Sequence, residues 1–261
     1  MLLQVQQVSV AYPVRGAAPF FAVRDISFEV AAGESFGIVG ESGCGKTTLA
    51  KAIMGLQPAT SGRIRFEGQE VSRLTGEAFK AYRRSVQMIF QDAVGSLNPR
   101  QTVLQMLEEV LRVHRMRPEG AIQSRVAELL DLVGMPSDVL HSYPRELSGG
   151  QCQRVSIARC LALEPRLIIA DEPVSALDVS VQARILNLIR SLQRELNLAV
   201  LLISHDLAVV RNICDRVCVM YRGEIIESGK AIDVMDHPQQ AYTKTLLAAV
   251  PDVGRALKSQ A

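Results

Sequence analysis

One short stretch constrains this chain more than any other. Gly40-Glu-Ser-Gly-Cys-Gly-Lys-Thr47 matches G-x-x-x-x-G-K-[ST] in full. Its physical content is a phosphate cradle. Gly40, Gly43 and Gly45 let the backbone turn its amides inward, with Ser42, Cys44 and Thr48 supplying further positions on the same loop. Lys46 offers a point charge to outer phosphates, and the Thr47 hydroxyl suits Mg²⁺. The surroundings agree. Ser35-Phe-Gly-Ile-Val39 reads as a short buried strand, and Thr47 to Met54 as a helix stopped at Gly55. That helix would aim its positive end at a bound anion. A chance match in a chain of this length is on the order of one in a hundred. Kinases, GTPases, helicases and transport ATPases all use such a loop, so the choice among them falls to residues downstream.

The pattern along the chain predicts an α/β fold. Leu3 to Val10, Phe28 to Val30 and Arg63 to Glu67 read as strands of an N-terminal β subdomain. Thr102 to His114 and Ala121 to Val133 carry apolar residues at helical spacing, punctuated by Pro99, Pro118 and Pro136, and read as a helical insertion. Strand and helix then alternate: Leu167 to Ala170, Val179 to Asn197, Leu198 to Ile203, a short helix after His205, and Arg216 to Met220. Alternation of this kind implies a mostly parallel sheet with helices on both faces. A Tyr221-Arg-Gly-Glu224 turn leads to a last strand, Ile225 to Ser228, and Lys258 to Ala261 is expected to fray.

Composition narrows the class. The net charge of +2 is too small for bulk attraction to nucleic acid. No apolar run reaches the roughly 18 residues of a membrane-spanning helix, and the N-terminus lacks a signal-like core. Five scattered cysteines fit reduced thiols rather than a disulfide framework. Cys214 and Cys218 have the spacing of one helical turn, but no further ligands suggest a metal site. Cys44, at a helix start beside Lys46, is expected to have a lowered pKa. Its alkylation would then block nucleotide binding, and bound nucleotide would protect it.

Two downstream stretches carry chemistry. Leu167-Ile-Ile-Ala-Asp171-Glu172 is an apolar strand ending in two acids, where a parallel sheet presents functional groups. Asp171 suits Mg²⁺, and Glu172 can act as general base on an attacking water. In Leu147-Ser-Gly-Gly-Gln151, two glycines expose amides before a helix spanning Cys152 to Leu163, an anion site to which Ser148 adds a hydroxyl.

With Ser175-Ala-Leu-Asp178 and Ser204-His-Asp206, these motifs in this order resemble the nucleotide-binding subunit of the ATP-binding-cassette (ABC) family, from about Leu2 to Val250. The resemblance implies a RecA-like P-loop NTPase core with an N-terminal antiparallel β subdomain and an inserted α-helical subdomain. The implied division is 1–91 and 152–235 for the core, 92–151 for the helical subdomain, and 236–261 for a C-terminal tail. It also implies two subunits facing head to tail. Lys46 of one subunit and Ser148, Gly149, Gly150 and Gln151 of the other would then hold each ATP. By the same resemblance Gln91 contacts Mg²⁺ or the attacking water and begins the segment that touches the membrane subunit. His205 contacts the γ-phosphate, Asp178 aligns the opposite site, and Tyr12 stacks on adenine, with Phe20 and Phe21 in the same loop region.

The stretch Phe90 to Arg100, Asp171 to Gln182, and His237-Pro-Gln-Gln-Ala-Tyr-Thr243 are similar to importers of peptides and of nickel or related metal chelates. Peptides are the expected cargo, with metal chelates as the alternative, to which the length of the chain is closer. The implied partners are a second ATPase subunit, two transmembrane permease subunits and an extracytoplasmic solute-binding protein, at the cytoplasmic face of the inner membrane. A cassette ATPase serving DNA repair or cofactor assembly would need coiled-coil heptads or would lack the Asn98-Pro-Arg100 segment. A sensor without turnover would not need Glu172 and His205.

Overall fold

A computed structural model describes residues 1–248 of the 261. The far end of the expected tail, 249–261, including the stretch expected to fray, lies outside the described residues.

The first 70 residues give five strands: β1 (Leu3–Tyr12), β2 (Phe20–Val30), β3 (Ser35–Val39), β4 (Ser61–Phe66) and β5 (Gln69–Glu70). Four of them form an antiparallel sheet in the order β2-β1-β4-β5. The strand β3 instead joins β6 (Val86–Ile89), β7 (Leu167–Asp171), β8 (Ala199–Ser204), β9 (Arg216–Tyr221) and β10 (Glu224–Lys230). That sheet runs β10-β9-β3-β8-β7-β6, parallel throughout except for the antiparallel edge strand β10.

Apolar parity explains the layering. Every residue of β3, β7 and β8 is buried, as strands covered on both faces require. Phe36, Ile38, Ile169, Leu201 and Ile203 enter one core, shared with β1, β4 and the helix α1 (Lys46–Ile53). Val39, Ile168, Ala170, Val200 and Leu202 enter the other. The second core takes the apolar faces of α4 (Val103–Val113) and α5 (Ile122–Leu132), which follow α2 (Gly76–Ser85) and the single turn α3 (Ala93–Ser96). It also takes α6 (Gly149–Leu161), α7 (Val179–Glu195), α8 (Leu207–Ile213) and α9 (Ala231–Asp236). The last described helix is α10 (Ala241–Ala248). The start of α4 is fixed by a reciprocal cap. Thr102 Oγ1 accepts from the Gln105 amide at 3.3 Å, and Gln105 Oε1 accepts from the Thr102 amide at 2.9 Å.

The structure corrects several expectations. The strand β2 begins at Phe20 rather than Phe28, so Phe20 and Phe21 are strand residues, not loop residues. Register shifts against β1 and a positive φ of 48° at Asp25 break the alternation that marks a strand. The glycines of Leu147 to Gln151 are not a lead-in to α6 but its first turn. Cys214 ends α8 in an extended conformation and Cys218 lies in β9, so they share no helical turn. All five cysteines are buried thiols. Among the described residues, no group of three or more His, Cys, Asp or Glu is disposed for a metal, and no helix is long and apolar enough to cross a membrane.

Candidate active site

The phosphate loop hangs between β3 and α1, and its shape demands glycine. Gly45 sits at φ 108°, and a Cβ there would run into the carbonyl oxygen of Ala22 on β2. The loop is closed on itself by Lys46, which is only 5% exposed. Its Nζ donates to the carbonyls of Gly40 at 2.7 Å and Glu41 at 2.9 Å. A buried ammonium held by two carbonyl oxygens and, at 3.9 Å, by the Cys44 sulfur is poised to transfer to a better anion.

Above the loop lies an open cavity of about 330 Å³, lined by Tyr12, Phe20, Ala22, Ser42, Gly43, Gly45, Lys46, Thr47, Thr48, Gln91 and Glu172. One wall is aromatic, from Tyr12 and Phe20, which are register partners across β1 and β2. The floor is the loop. Gln91 and Glu172 close the far side, each just beyond a strand end.

Asp171 is the last residue of β7 and is 6% exposed. Burial pushes its carboxyl above the usual carboxylate range, and the neighbouring Glu172 adds to the rise. The Thr47 hydroxyl and the Lys46 charge pull it back. Glu172 turns out of the strand at a positive φ of 47°, with its amide donating to the Ile203 carbonyl at 2.9 Å. This left-handed geometry costs a non-glycine residue roughly 1–2 kcal/mol. It delivers the carboxylate to His205, whose Nδ1 stands 3.2 Å from Glu172 Oε2.

Cys44 departs from expectation. It is buried behind the loop, and burial raises its thiol pKa despite the Lys46 charge. The desolvation of the thiolate outweighs the nearby cation, so the expected lowered pKa is incorrect.

Ser148, Gly149, Gly150, Gln151 and Asp178 stand apart from the cavity lining. Ser148 caps α6: its hydroxyl accepts from the Gln151 amide at 3.3 Å, while Gln151 Oε1 accepts from the Ser148 amide at 2.8 Å. The amides of Gly149 and Gly150 lie in the first turn, where an α-helix offers no internal acceptor. A Cβ at Gly150 would approach Val181 Cγ1 at 2.6 Å. Asp178 begins α7 without a side-chain cap bond.

Sequence reasoning missed Ala22 in the cavity wall, and set Phe20 beside Tyr12 in a loop rather than opposite it on a paired strand. It also missed Tyr242 on α10, whose hydroxyl accepts from the Glu41 amide at 3.2 Å. Strand pairing with Tyr12 is the signal that would have placed Phe20.

Comparison with known proteins places this geometry. A profile described as ABC transporter matches residues 23–175. The oligopeptide transport ATP-binding protein OppF of Haemophilus influenzae is 44% identical over 260 residues, covering 96% of this chain and 78% of the relative. The glutathione import ATP-binding protein GsiA of Pectobacterium atrosepticum is 47% identical, covering 96% of this chain and 41% of the relative. A dimeric structure of the ATP-binding cassette MJ0796 bound to ADP and Pi superposes with a TM-score of 0.78 at 28% identity, covering 88% of this chain and 99% of that one. The chain belongs to the ABC transporter family and is an ATP-hydrolysing subunit of that family.

Proposed function

We propose that this subunit powers peptide uptake, with Glu172 as general base on the water that attacks ATP. The observation that carries the reading is the shared cavity: Lys46, Thr47, Gln91 and Glu172 line one space whose opposite wall is aromatic. Adenine stacks on Tyr12, and the phosphates rest on the loop amides from Gly40 to Thr48. Lys46 exchanges the carbonyls of Gly40 and Glu41 for phosphate oxygens. Glu172 takes a proton from water, and His205 steadies the carboxylate and the γ-phosphate side.

Thr47, Gln91 and Asp171 fit a hard divalent cation. All offer oxygen, and the buried, raised Asp171 carboxyl is an acid that a cation would stabilise in its charged form. Mg²⁺ there supplies charge neutralisation for the phosphates.

Ser148, Gly149, Gly150 and Gln151, aided by Asp178, serve the ATP of a second subunit. Their separation from their own chain's cavity supports this reading. Residues 1–91 and 152–235 act as the core, 92–151 as the helical subdomain and 236–261 as the tail. Two permease subunits dock on the helical side, placing the chain at the cytoplasmic face of the membrane. A groove of about 330 Å³ there is lined by Gln87, Asn98, Gln101, Met106 and Arg159, beside Val113, which is 69% exposed. Arg159 ties the wall together by donating to the Ser96 carbonyl at 2.8 Å.

Relatives named for oligopeptide and glutathione import favour peptides as cargo over metal chelates. Purification of the tagged chain from its native membrane tests the assembly. The expected result is co-purification of two multi-spanning subunits, with an extracytoplasmic protein that binds peptides. Recovery without membrane partners, or with a nickel-chelate binder, overturns the assembly or the cargo respectively.

A further inference from the structure

The segment His237-Pro-Gln-Gln-Ala-Tyr-Thr243 has no part in the chemistry above, yet the fold ties it to the phosphate loop. Glu227 on β10 anchors the segment: its carboxylate accepts from the amides of Gln239 at 2.8 Å and Gln240 at 3.2 Å. These bonds fix the entry to α10 and present Tyr242 toward β9. The Tyr242 ring packs on Tyr221 at the end of β9, with centroids 4.2 Å apart. Its hydroxyl then reaches the loop and accepts from the Glu41 amide at 3.2 Å.

Glu41 is thereby held at both ends of its own backbone. Its N–H donates to Tyr242, and its carbonyl accepts from Lys46 Nζ. One side chain, 201 residues away in sequence, sets the peptide that the phosphate-binding lysine grips. We propose that Tyr242 is a positioning residue for nucleotide binding: it fixes the Glu41 peptide, and through it the shape of the phosphate loop, before ATP arrives. A loop already ordered loses less conformational freedom on binding, so the contact favours the bound state. The proposal rests on the reading of the loop as the nucleotide site.

The test is Tyr242→Phe in the full chain, which keeps the ring on Tyr221 and removes only the hydroxyl. ATP is the probe, with Kd from equilibrium titration and KM and kcat from phosphate release. Loss of one such hydrogen bond predicts a rise in Kd and KM of roughly two- to tenfold. The kcat at saturating ATP is expected to stay within about twofold, and the melting temperature of the nucleotide-free chain to fall by no more than about 2–4 °C, the loss of one hydrogen bond with the ring packing kept. A purely structural role for the tyrosine would not divide KM from kcat. If the wild-type chain binds ATP and Tyr242→Phe binds it equally or more tightly, the proposal is overturned and the nucleotide site stands. If the wild-type chain binds no ATP, the reading of the site is overturned and this proposal with it.

Discussion

Replacing Glu172 by Gln is the sharpest perturbation the site allows. The side chains are nearly the same size, so the left-handed turn at φ 47° and the amide bond to Ile203 should persist. What changes is the ability to take a proton. None of the other cavity residues is a carboxylate, and Asp171 is buried against Thr47 with its own task, so nothing in place substitutes for the base. General-base catalysis contributes typically about 10²–10⁴-fold, which is roughly 3–5.5 kcal/mol of barrier. The contact with His205 adds little to stability. His205 is more than half exposed, and such pairs contribute at most about 1 kcal/mol. On the proposed reading, the contacts that bind ATP come from the loop, Lys46 and the aromatic wall, all untouched. The expected result is therefore a collapse of kcat with ATP affinity unchanged, read by phosphate release at saturating ATP alongside direct nucleotide titration. A variant that binds ATP and keeps kcat within tenfold of wild type refutes Glu172 as the base.

Three further outcomes are expected. Asp171 has a folded-state pKa above its unfolded value, so its favourable contribution is complete below the unfolded value and lost as pH rises through the folded one. Asp171→Asn should then melt above wild type at pH 7 without nucleotide or Mg²⁺, with the gap closing toward acid pH and hydrolysis abolished; a lower melting temperature at pH 7 sinks this. Cys44 should react with iodoacetamide at pH 8 more slowly than a free thiol, since burial raises its pKa. Mass spectrometry showing faster labelling would contradict the buried geometry. Phe36→Ala on β3 removes a buried ring stacked on Phe28 at 5.0 Å, and should cost about 3–5 kcal/mol in denaturant unfolding.

What the sequence made legible follows from where its signals are local. The strand β3 was read at its true bounds because five consecutive buried positions sit between turns. The helices α4 and α5 showed themselves through apolar spacing that becomes Val103, Met106, Leu107 and Leu111 in one, and Ile122, Val126, Leu129 and Leu130 in the other. The helix α2 stayed hidden because Tyr82 is its only buried residue. Most of β2 stayed hidden behind its register shifts. In the site, motifs pointed to each polar group by type and order. Local pattern did not reveal pairings across distance: Phe20 opposite Tyr12, or Tyr242 on Glu41. The pKa of Cys44 failed for the same reason. Lys46 is two residues away and visible in the sequence, whereas the burial that outweighs it draws on β9, which shares its core through Cys218 and Met220 far along the chain.

The placement of Ser148 bears on the proposed pairing of two chains around each nucleotide. Its hydroxyl and the Gln151 amide are engaged with each other, so the α6 cap is satisfied within the subunit. The amides of Gly149 and Gly150 remain at the positive end of a 13-residue helix and are not part of the lining of the cavity that holds Lys46. A helix start of this kind favours an anion. The cavity over the phosphate loop has the complementary lack: a floor, an aromatic wall and a base, but an open side. A nucleotide between two copies of this arrangement meets both needs at once. On the proposed reading, hydrolysis depends on association, because Glu172 can act on a phosphate held still only when the second subunit's helix closes the open side.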